Sequence, residues 1–164
     1  MKKSILLFLG LILSVGFTFA QSPAKSPAEV SESATVKVSY GAPSVRGREI
    51  FGKLVPFGKV WRTGANGATE ITFKKDAEFG GTKVQAGTYS LFTIPGEKTW
   101  EVVLNSELKQ WGAYDYDKIK KKNVATVTVP ATTGSTVVEK MSIVASDDAL
   151  TISWDKTSVS VPVK

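Results

Sequence analysis

The feature that most constrains this chain is the texture of its sequence from residue 35 onward. Short runs of β-branched and aromatic residues follow one another, separated by turn-forming residues. Val36, Val38 and Tyr40 alternate with polar neighbours, which is the pattern of a strand that buries one face. No apolar run at helical spacing is long enough for a substantial helix. The pattern predicts an all-β fold with little helix, an antiparallel β-sandwich of Greek-key or jelly-roll type.

One hairpin is predicted in detail. Strand patterns at 89–94 and 100–104 flank the segment Pro95-Gly96-Glu97-Lys98, whose Pro-Gly pair suits a turn. Turns are also expected at 147–148 and 155–156. The later strand patterns cover 124–129, 136–144, 150–154 and 158–163.

The first twenty residues are typical of a secretory signal peptide. Two lysines precede an uncharged apolar run over residues 5–15, and Thr18 and Ala20 are the small residues that a signal peptidase favours. We expect cleavage after Ala20 and an exported protein that is periplasmic or extracellular. A membrane anchor is disfavoured because residues 4–20 fall short of the roughly 20 apolar residues that cross a bilayer. No transmembrane segment is therefore expected in the mature protein.

The segment after this leader differs from both its neighbours. Residues 21–34 contain two prolines and four serines, and almost nothing that could be buried. This composition predicts a flexible tether. The remaining residues, 35–164, are expected to form a single β-sandwich domain.

The chain contains no cysteine and no histidine. These absences exclude disulfides, thiol nucleophiles, Cys/His zinc sites and a Ser-His-Asp triad. They favour binding over catalysis, and we expect neither a cofactor nor a metal.

The formal net charge of the whole chain is +6, and its densest basic run is residues 118–122. Because no stacking aromatics are interleaved there, that run is interpreted as a solvated loop and no nucleic-acid partner is expected. Arg46 and Arg48 flank a glycine in a predicted loop, where they would suit an anion.

Residues 61–66, with the sequence WRTGAN, form the first candidate site. In an extended chain Trp61 and Arg62 point to opposite faces. The guanidinium is a fork-shaped donor for a carboxylate, and the nearest one in sequence is Glu70. Two interpretations stay open. One is a ligand pocket to which the Asn66 amide contributes, and the other is a buried tryptophan with an Arg–Glu pair that locks a strand crossing.

Residues 110–117 form the second candidate site, because they concentrate aromatic and acidic side chains. If this segment is extended, Tyr114 and Tyr116 face one way and Asp115 and Asp117 the other. Aromatic faces beside carboxylates are the usual equipment for binding sugars. The alternatives are a calcium pair, a glycoside-cleaving pair of carboxylates, and a loop whose aromatics seal one end of the sandwich.

Four ordered motifs go beyond a generic strand pattern. They are PSVRGR at 43–48, GKVWRTGAN at 58–66, AGTYSLFTIPG at 86–96 and QWGAYD at 110–115. Together they resemble an exported bacterial family known as domain of unknown function 2911, over roughly residues 35–164. The resemblance implies an exported protein, typical of Bacteroidetes-type bacteria, with a compact β-rich domain. It carries no established activity.

These observations favour a non-catalytic exported β-sandwich that binds a small-molecule ligand, a glycan or a cell-envelope partner. The alternatives are a glycoside-type envelope hydrolase that uses Asp115, Asp117 or Glu70, and a structural envelope protein without a small ligand. No catalytic residue is assigned. The expected ligand-binding residues are Trp61, Arg62, Asn66, Glu70, Trp111, Tyr114, Asp115 and Asp117.

Overall fold

The computed structural model describes residues 26–164. The predicted signal peptide and the first part of the predicted tether lie outside the described residues. Strands and isolated bridges hold 59% of the described residues and helices 5%, which confirms the predicted all-β class. All pairings between named strands are antiparallel.

Seven strands form one curled sheet, in the order β1-β2-β3-β6-β7-β8-β9, and β4 and β5 form a separate hairpin. This order is a meander into which the β4–β5 hairpin is inserted, and it is simpler than a Greek key or a jelly roll. A one-turn helix, α1, and a 3-10 turn connect β7 to β8. The strands are β1 Ala28–Glu32, β2 Val36–Gly41, β3 Thr69–Phe73, β4 Ala77–Phe79, β5 Thr82–Val84, β6 Gly87–Pro95, β7 Thr99–Asn105, β8 Asn123–Ala145 and β9 Ala149–Pro162. The helical segments are α1 Tyr116–Ile119 and the 3-10 turn Lys120–Lys122.

Strand β8 gives the sheet its sandwich-like shape, because its two halves pair with different strands. Its first half, residues 123–130, pairs with β7, and the half from residue 131 pairs with β9. The second half also lies over the start of the sheet. Ser44 forms a bridge with Lys140, and the Ala145 N–H donates to Ser31 Oγ at 2.9 Å. The chain thus closes one layer over the other.

The predicted tether is wrong over residues 28–32, which form β1. This strand pairs with β2, with Val30 opposite Ser39. Ion pairs fasten it from both sides, Glu32 to Lys74 and Glu29 to Lys140, each at 2.7 Å. Because no side chain of β1 is fully buried, its apolar pattern does not reveal it. Backbone pairing and ion pairs hold this strand.

The strand and turn predictions are confirmed in part. Pro95 pairs with Trp100 across the β6–β7 hairpin, as expected, and residues 147–148 connect β8 to β9. The turn predicted at 155–156 is wrong, because both residues lie within β9. Asp155 has a φ of 53° and pairs with Val138, where the register of β8 shifts. A bulge therefore bends the ladder at a point where the sequence suggests a turn.

The core has two parts, on opposite faces of β6. Leu91 belongs to the main core between the layers, and Phe92 belongs to a small second core with Val103, Tyr116 and Ile119. β6 is buried on both faces although its sequence, GTYSLFTIP, contains polar residues, and Ser90 and Thr93 are buried with the apolar ones. The main core contains the aromatic cluster beside the candidate site, and the small core supports the loop before α1.

Candidate functional site

A cavity of about 340 Å³ opens beside residues 61–66, and we call it the Trp–Arg cavity. Arg48, Arg62 and Asn66 supply polar groups to its lining, and Trp61 and Trp154 supply aromatic surface. Three of the predicted site residues therefore share one concave surface.

The local backbone explains how both Arg62 and Asn66 reach this cavity. Trp61 is fixed to β6 by a pair of backbone hydrogen bonds with Thr93, of 2.7 and 2.9 Å. The chain then turns sharply, because Thr63 has a φ of 56°. The Thr63 carbonyl accepts a hydrogen bond of 2.6 Å from Thr69 Oγ1, which holds the turn from inside. This turn replaces the simple alternation of an extended strand.

The aromatic wall of the cavity belongs to the main core. The rings of Trp61 and Trp154 stack with centroids 5.8 Å apart and an interplanar angle of 17°. Trp100 and Phe51 meet the Trp61 ring edge-on at 6.3 and 6.1 Å. Trp61 is only 9% exposed, so the interpretation of a buried tryptophan is correct.

Three buried side-chain nitrogens in the described part of the chain have no hydrogen-bond acceptor: Arg62 Nε, Trp100 Nε1 and Trp154 Nε1. Arg62 and Trp154 line the Trp–Arg cavity, and Trp100 lines a second cavity of about 240 Å³ on the other side of the aromatic cluster. Buried polar groups in folded proteins are nearly always paired. All three atoms are donors, so what this region lacks is an acceptor.

The predicted pair between Arg62 and Glu70 does not form. Within residues 26–164 no carboxylate lies within ion-pair distance of the Arg62 guanidinium. One carboxylate oxygen of Glu70, Oε1, instead accepts a hydrogen bond of 3.1 Å from the Lys109 N–H. The interpretation of an Arg–Glu lock is therefore wrong, and Arg62 remains available to a ligand.

Arg48 contributes the second guanidinium of the cavity, at an exposed position. Its Nε donates to the Val45 carbonyl at 3.0 Å and its Nη2 to the Ser44 carbonyl at 2.6 Å. These bonds fix the orientation of Arg48, whereas the Arg62 side chain has no such partner among the described residues. Arg48, which we expect in a loop that suits an anion, therefore lies at the lining of the Trp–Arg cavity.

A shallower groove of about 270 Å³ lies on the other side of Ala65 and Asn66, and we call it the β1 groove. Its polar lining residues are Glu29, Ser39, Tyr40, Asn66 and Glu70, of which Glu29 and Tyr40 direct their side chains toward β8. Two of the predicted site residues, Asn66 and Glu70, therefore meet here, and Asn66 also lines the Trp–Arg cavity.

Trp111 lies next to this groove by its backbone. It forms an antiparallel bridge with Gly67, and the Ala68 N–H donates to the Gln110 carbonyl at 2.8 Å. Its side chain is 72% exposed, and that of Tyr114 is 81% exposed. Both aromatic rings therefore present most of their surface to solvent.

Residues 110–117 are not extended, so the condition under which Tyr114 and Tyr116 would share a face is not met. Gly112, with a φ of 75°, turns the chain, and α1 begins at Tyr116. Tyr116 is buried in the small core, and its hydroxyl accepts a hydrogen bond of 2.9 Å from Asn123 Nδ2. The two tyrosines consequently do not share a face.

Asp115 and Asp117 line neither the Trp–Arg cavity nor the β1 groove. Asp115 pairs with Lys118 at 2.5 Å and Asp117 with Lys120 at 3.2 Å, and both carboxylates are exposed. The hydrogen bond from Lys118 to Asp115, together with the carboxylate charge, raises the pKa of Lys118 above its usual value. Residues 26–164 contain no group of three side chains that could hold a metal ion. These contacts give the two aspartates the environment of solvated ion pairs.

Comparison with known proteins decides the family. The family model described as "Protein of unknown function (DUF2911)" matches residues 22–163. The chain belongs to this family. The resemblance read from the four motifs is thereby confirmed, and the DUF2911 match covers β1 as well as the rest of the sandwich. No match was found among curated proteins or among solved structures.

Arg48 and Trp154 line the Trp–Arg cavity but were not among the predicted site residues. Trp154 lies in a strand pattern and gives no sign of a functional position, and Arg48 is marked only by the RGR sequence of the loop.

In the part of the chain that the structure describes, no helix has the length and apolar character needed to cross a bilayer.

Proposed function

We propose that this DUF2911 protein is an exported, non-catalytic binding protein whose Trp–Arg cavity takes a small anionic ligand. The observation that carries the proposal is the Arg62 guanidinium, whose buried Nε has no acceptor among the described residues. The side chain is half-buried and forms no hydrogen bond or ion pair with the described residues, so the terminal nitrogens of the guanidinium can take a carboxylate or phosphate group of a ligand. Export is part of the proposal and rests on the leader-like sequence of the first twenty residues.

The chemistry of the cavity suits an anion with an apolar side. A guanidinium presents a planar fork of donors that matches a carboxylate or phosphate with two parallel hydrogen bonds. Partial burial strengthens such a pair, because the effective dielectric constant is lower than in water. Arg48 adds a second positive charge at the cavity, and the Trp61 and Trp154 rings offer apolar surface to the rest of the ligand.

The same residues favour binding over catalysis. The chain has no histidine or cysteine to act as a base or a nucleophile near neutral pH. Asp115 and Asp117 are the acid pair considered for glycoside cleavage. Both form ion pairs with lysines at the surface. Hydrolysis by this pair requires two carboxylates that flank a bound sugar.

Tryptophan fluorescence tests the proposal directly, because Trp61 and Trp154 lie at the cavity wall. Acetate, inorganic phosphate, glucuronate and glucose 6-phosphate would be titrated against the wild-type protein, with glucose as the neutral probe. We expect saturable binding of at least one anion and none of glucose. Arg62→Gln should weaken that binding by about 10- to 100-fold, the value of one hydrogen-bonded charge.

The control is Lys83→Gln, which removes one positive charge from β5, outside the cavity, and should leave the affinity unchanged. Equal affinities of wild type and Arg62→Gln for every anion would contradict the proposal. So would the absence of binding by all of the anions.

A further inference from the structure

The Trp–Arg cavity and the β1 groove share a wall. Ala65 and Asn66 line both of them. Asn66 is exposed, and its amide donates to the Ser26 carbonyl at 3.3 Å, so that this contact lies where the two depressions meet. A ligand longer than one small molecule, held at Arg62, would pass Asn66 and continue into the groove.

The groove itself is suited to hydroxyl groups. The Ser39 hydroxyl can donate and accept a hydrogen bond, and it lies on the outer face of β2. The Tyr40 side chain lies on the opposite face of this strand, where its hydroxyl accepts a hydrogen bond of 3.0 Å from the Ile143 N–H. Glu70 is oriented by the Lys109 N–H at Oε1, and among the described residues nothing bonds its Oε2. Together with the Asn66 amide, the Ser39 hydroxyl and the Glu70 carboxylate offer both donors and acceptors, as sugar hydroxyls require.

The charge of the groove disfavours a second anion. Glu70 presents its carboxylate to the β1 groove, and the lining of the groove contains no basic side chain. The Glu29 carboxylate lies on the other face of β1, where it pairs with Lys140, whereas Glu70 meets only a backbone N–H. When Arg62 holds the acidic group of a ligand, the units that follow lie in the β1 groove. The surface of this groove accepts neutral units and repels further carboxylates.

Trp111 supplies the aromatic surface that sugar binding uses. Its backbone bridges Gly67, a groove residue, and its ring is mostly exposed. The loop that carries it is anchored from below, because α1 packs Tyr116 and Ile119 into the small core with Phe92. A ring presented by an anchored loop costs little conformational entropy on binding, and its face packs against the C–H face of a sugar.

We propose that the ligand is an acidic oligosaccharide with one anionic sugar, which binds in the Trp–Arg cavity, and neutral sugars that follow in the β1 groove as far as Trp111. This inference rests on the proposed function and names the ligand class of that site. The combination of one unpaired guanidinium, a hydroxyl-matching groove with one carboxylate, and an exposed tryptophan carries it.

Isothermal titration calorimetry with three sugars tests the inference. The probes are glucuronate, a trisaccharide of one glucuronate linked to two neutral xyloses, and trigalacturonate, in which every unit is acidic. We expect the mixed trisaccharide to bind wild type about tenfold or more tightly than glucuronate, and trigalacturonate to gain no such advantage. Arg62→Gln should weaken both glucuronate and the mixed trisaccharide.

Two surface variants separate the groove from the cavity. Trp111→Ala should remove about five- to tenfold of the trisaccharide advantage, the value of one aromatic contact, and Glu70→Gln should relax the rejection of trigalacturonate. Neither change should alter the affinity for glucuronate. The matched control is Val137→Ala, an exposed apolar residue of β8 outside both depressions, which should change nothing.

The outcomes distinguish the two proposals. A mixed trisaccharide that binds no more tightly than glucuronate, or an advantage that survives Trp111→Ala, overturns the oligosaccharide inference and leaves the anion cavity standing. Glucuronate binding that is unaffected by Arg62→Gln, or binding of none of the three sugars or of phosphate, overturns both.

Discussion

The unpaired nitrogen of Arg62 has a thermodynamic cost as well as a chemical use. A buried donor without an acceptor costs about 1–3 kcal/mol relative to a paired one. Arg48 differs, because two backbone carbonyls accept hydrogen bonds from its Nε and Nη2. The two arginines of the Trp–Arg cavity therefore have opposite effects on the stability of the ligand-free protein. Arg48 supports the loop that carries it, and Arg62 is destabilising until a ligand arrives.

This difference predicts opposite effects of the same substitution. Arg62→Met should abolish anion binding and raise the free energy of unfolding of the ligand-free protein by about 1 kcal/mol, because it removes an unpaired buried polar group. Arg48→Met should lower that free energy, because it removes two hydrogen bonds. Urea unfolding of the three proteins measures both. A loss of stability in Arg62→Met would mean that the guanidinium has a structural partner.

The wall that the Trp–Arg cavity and the β1 groove share depends on a glycine, Gly41. A Cβ atom at Gly41 would stand 2.3 Å from the Ala65 carbonyl oxygen, a distance that backbone atoms do not tolerate. The close approach is fixed by the hydrogen bond from the Ala65 N–H to the Gly41 carbonyl, of 3.1 Å.

Gly41→Ala should therefore lower the free energy of unfolding by about 1–3 kcal/mol, the usual cost of overpacking. It should also weaken ligand binding, because Ala65 and Asn66 must shift. The control is Gly134→Ala in β8, where a Cβ would meet nothing closer than 4.0 Å. Thermal unfolding compares the two variants, and equal melting temperatures would contradict the argument.

Residue types, more than spacing, carried the part of the site that could be predicted. The sequence points to Trp61, Arg62 and Asn66 because tryptophan, arginine and an amide in a turn suit a ligand, and all three line one cavity. The partner of Arg62 was not predictable, because the left-handed turn at Thr63 redirects the chain away from an extended course. Trp154 was out of reach of sequence reasoning, since it comes from the far end of the chain.

At the scale of elements, strands were recognised when they bury apolar side chains and missed when they do not. β6 and β7 bury most of their residues, and their hairpin was predicted. β1 buries none fully, and its Val30 is 58% exposed, so its sequence resembles a linker. Backbone hydrogen bonds leave no pattern in side-chain hydropathy, which is why this strand was not predictable.

The attachment of β1 depends partly on pH. The hydrogen bond and the charge of Lys74 lower the pKa of Glu32 below its usual value. The folded carboxylate is therefore favoured, and the stability it contributes is present above its unfolded pKa and is lost as pH falls through the lower folded pKa.

Glu32→Gln should lower the melting temperature slightly at pH 7, and the difference from wild type should vanish at a pH low enough to protonate the folded carboxylate. Differential scanning calorimetry at the two pH values measures this difference. The effect is small because both partners of the ion pair are substantially exposed. A difference that persists at low pH would show that Glu32 acts through packing. Glu97→Gln, on an exposed turn, is the control.

At the scale of the whole molecule, β8 joins the two layers, because it contributes residues to both of them. Its first half completes the layer that contains β7, and its second half forms the opposite layer with β9. The all-β class was predictable from alternation, but this fusion of two predicted strands into one was not. Bulges at Val138 and Asp155 bend the ladder without ending it.

Because one strand belongs to both layers, we expect a single cooperative unfolding transition. Far-UV circular dichroism reports the strands. Fluorescence of a Trp111→Phe variant reports the three buried tryptophans alone, since Trp111 is the exposed one. The two probes should give the same urea midpoint. Two separated midpoints would show that the layers unfold independently.

The residues that line the two depressions come almost entirely from one segment of the chain. Apart from Trp154, every residue that lines the Trp–Arg cavity or the β1 groove lies between residues 26 and 70. Strands β6 to β9 supply the frame on which that segment rests. Substitutions confined to residues 26–70 can consequently change the lining of both depressions, apart from Trp154, without disturbing the frame. Exchange of residues 26–70 between two relatives would then transfer the preferences of the cavity and the groove, whereas the contact with Trp111 would stay with the recipient.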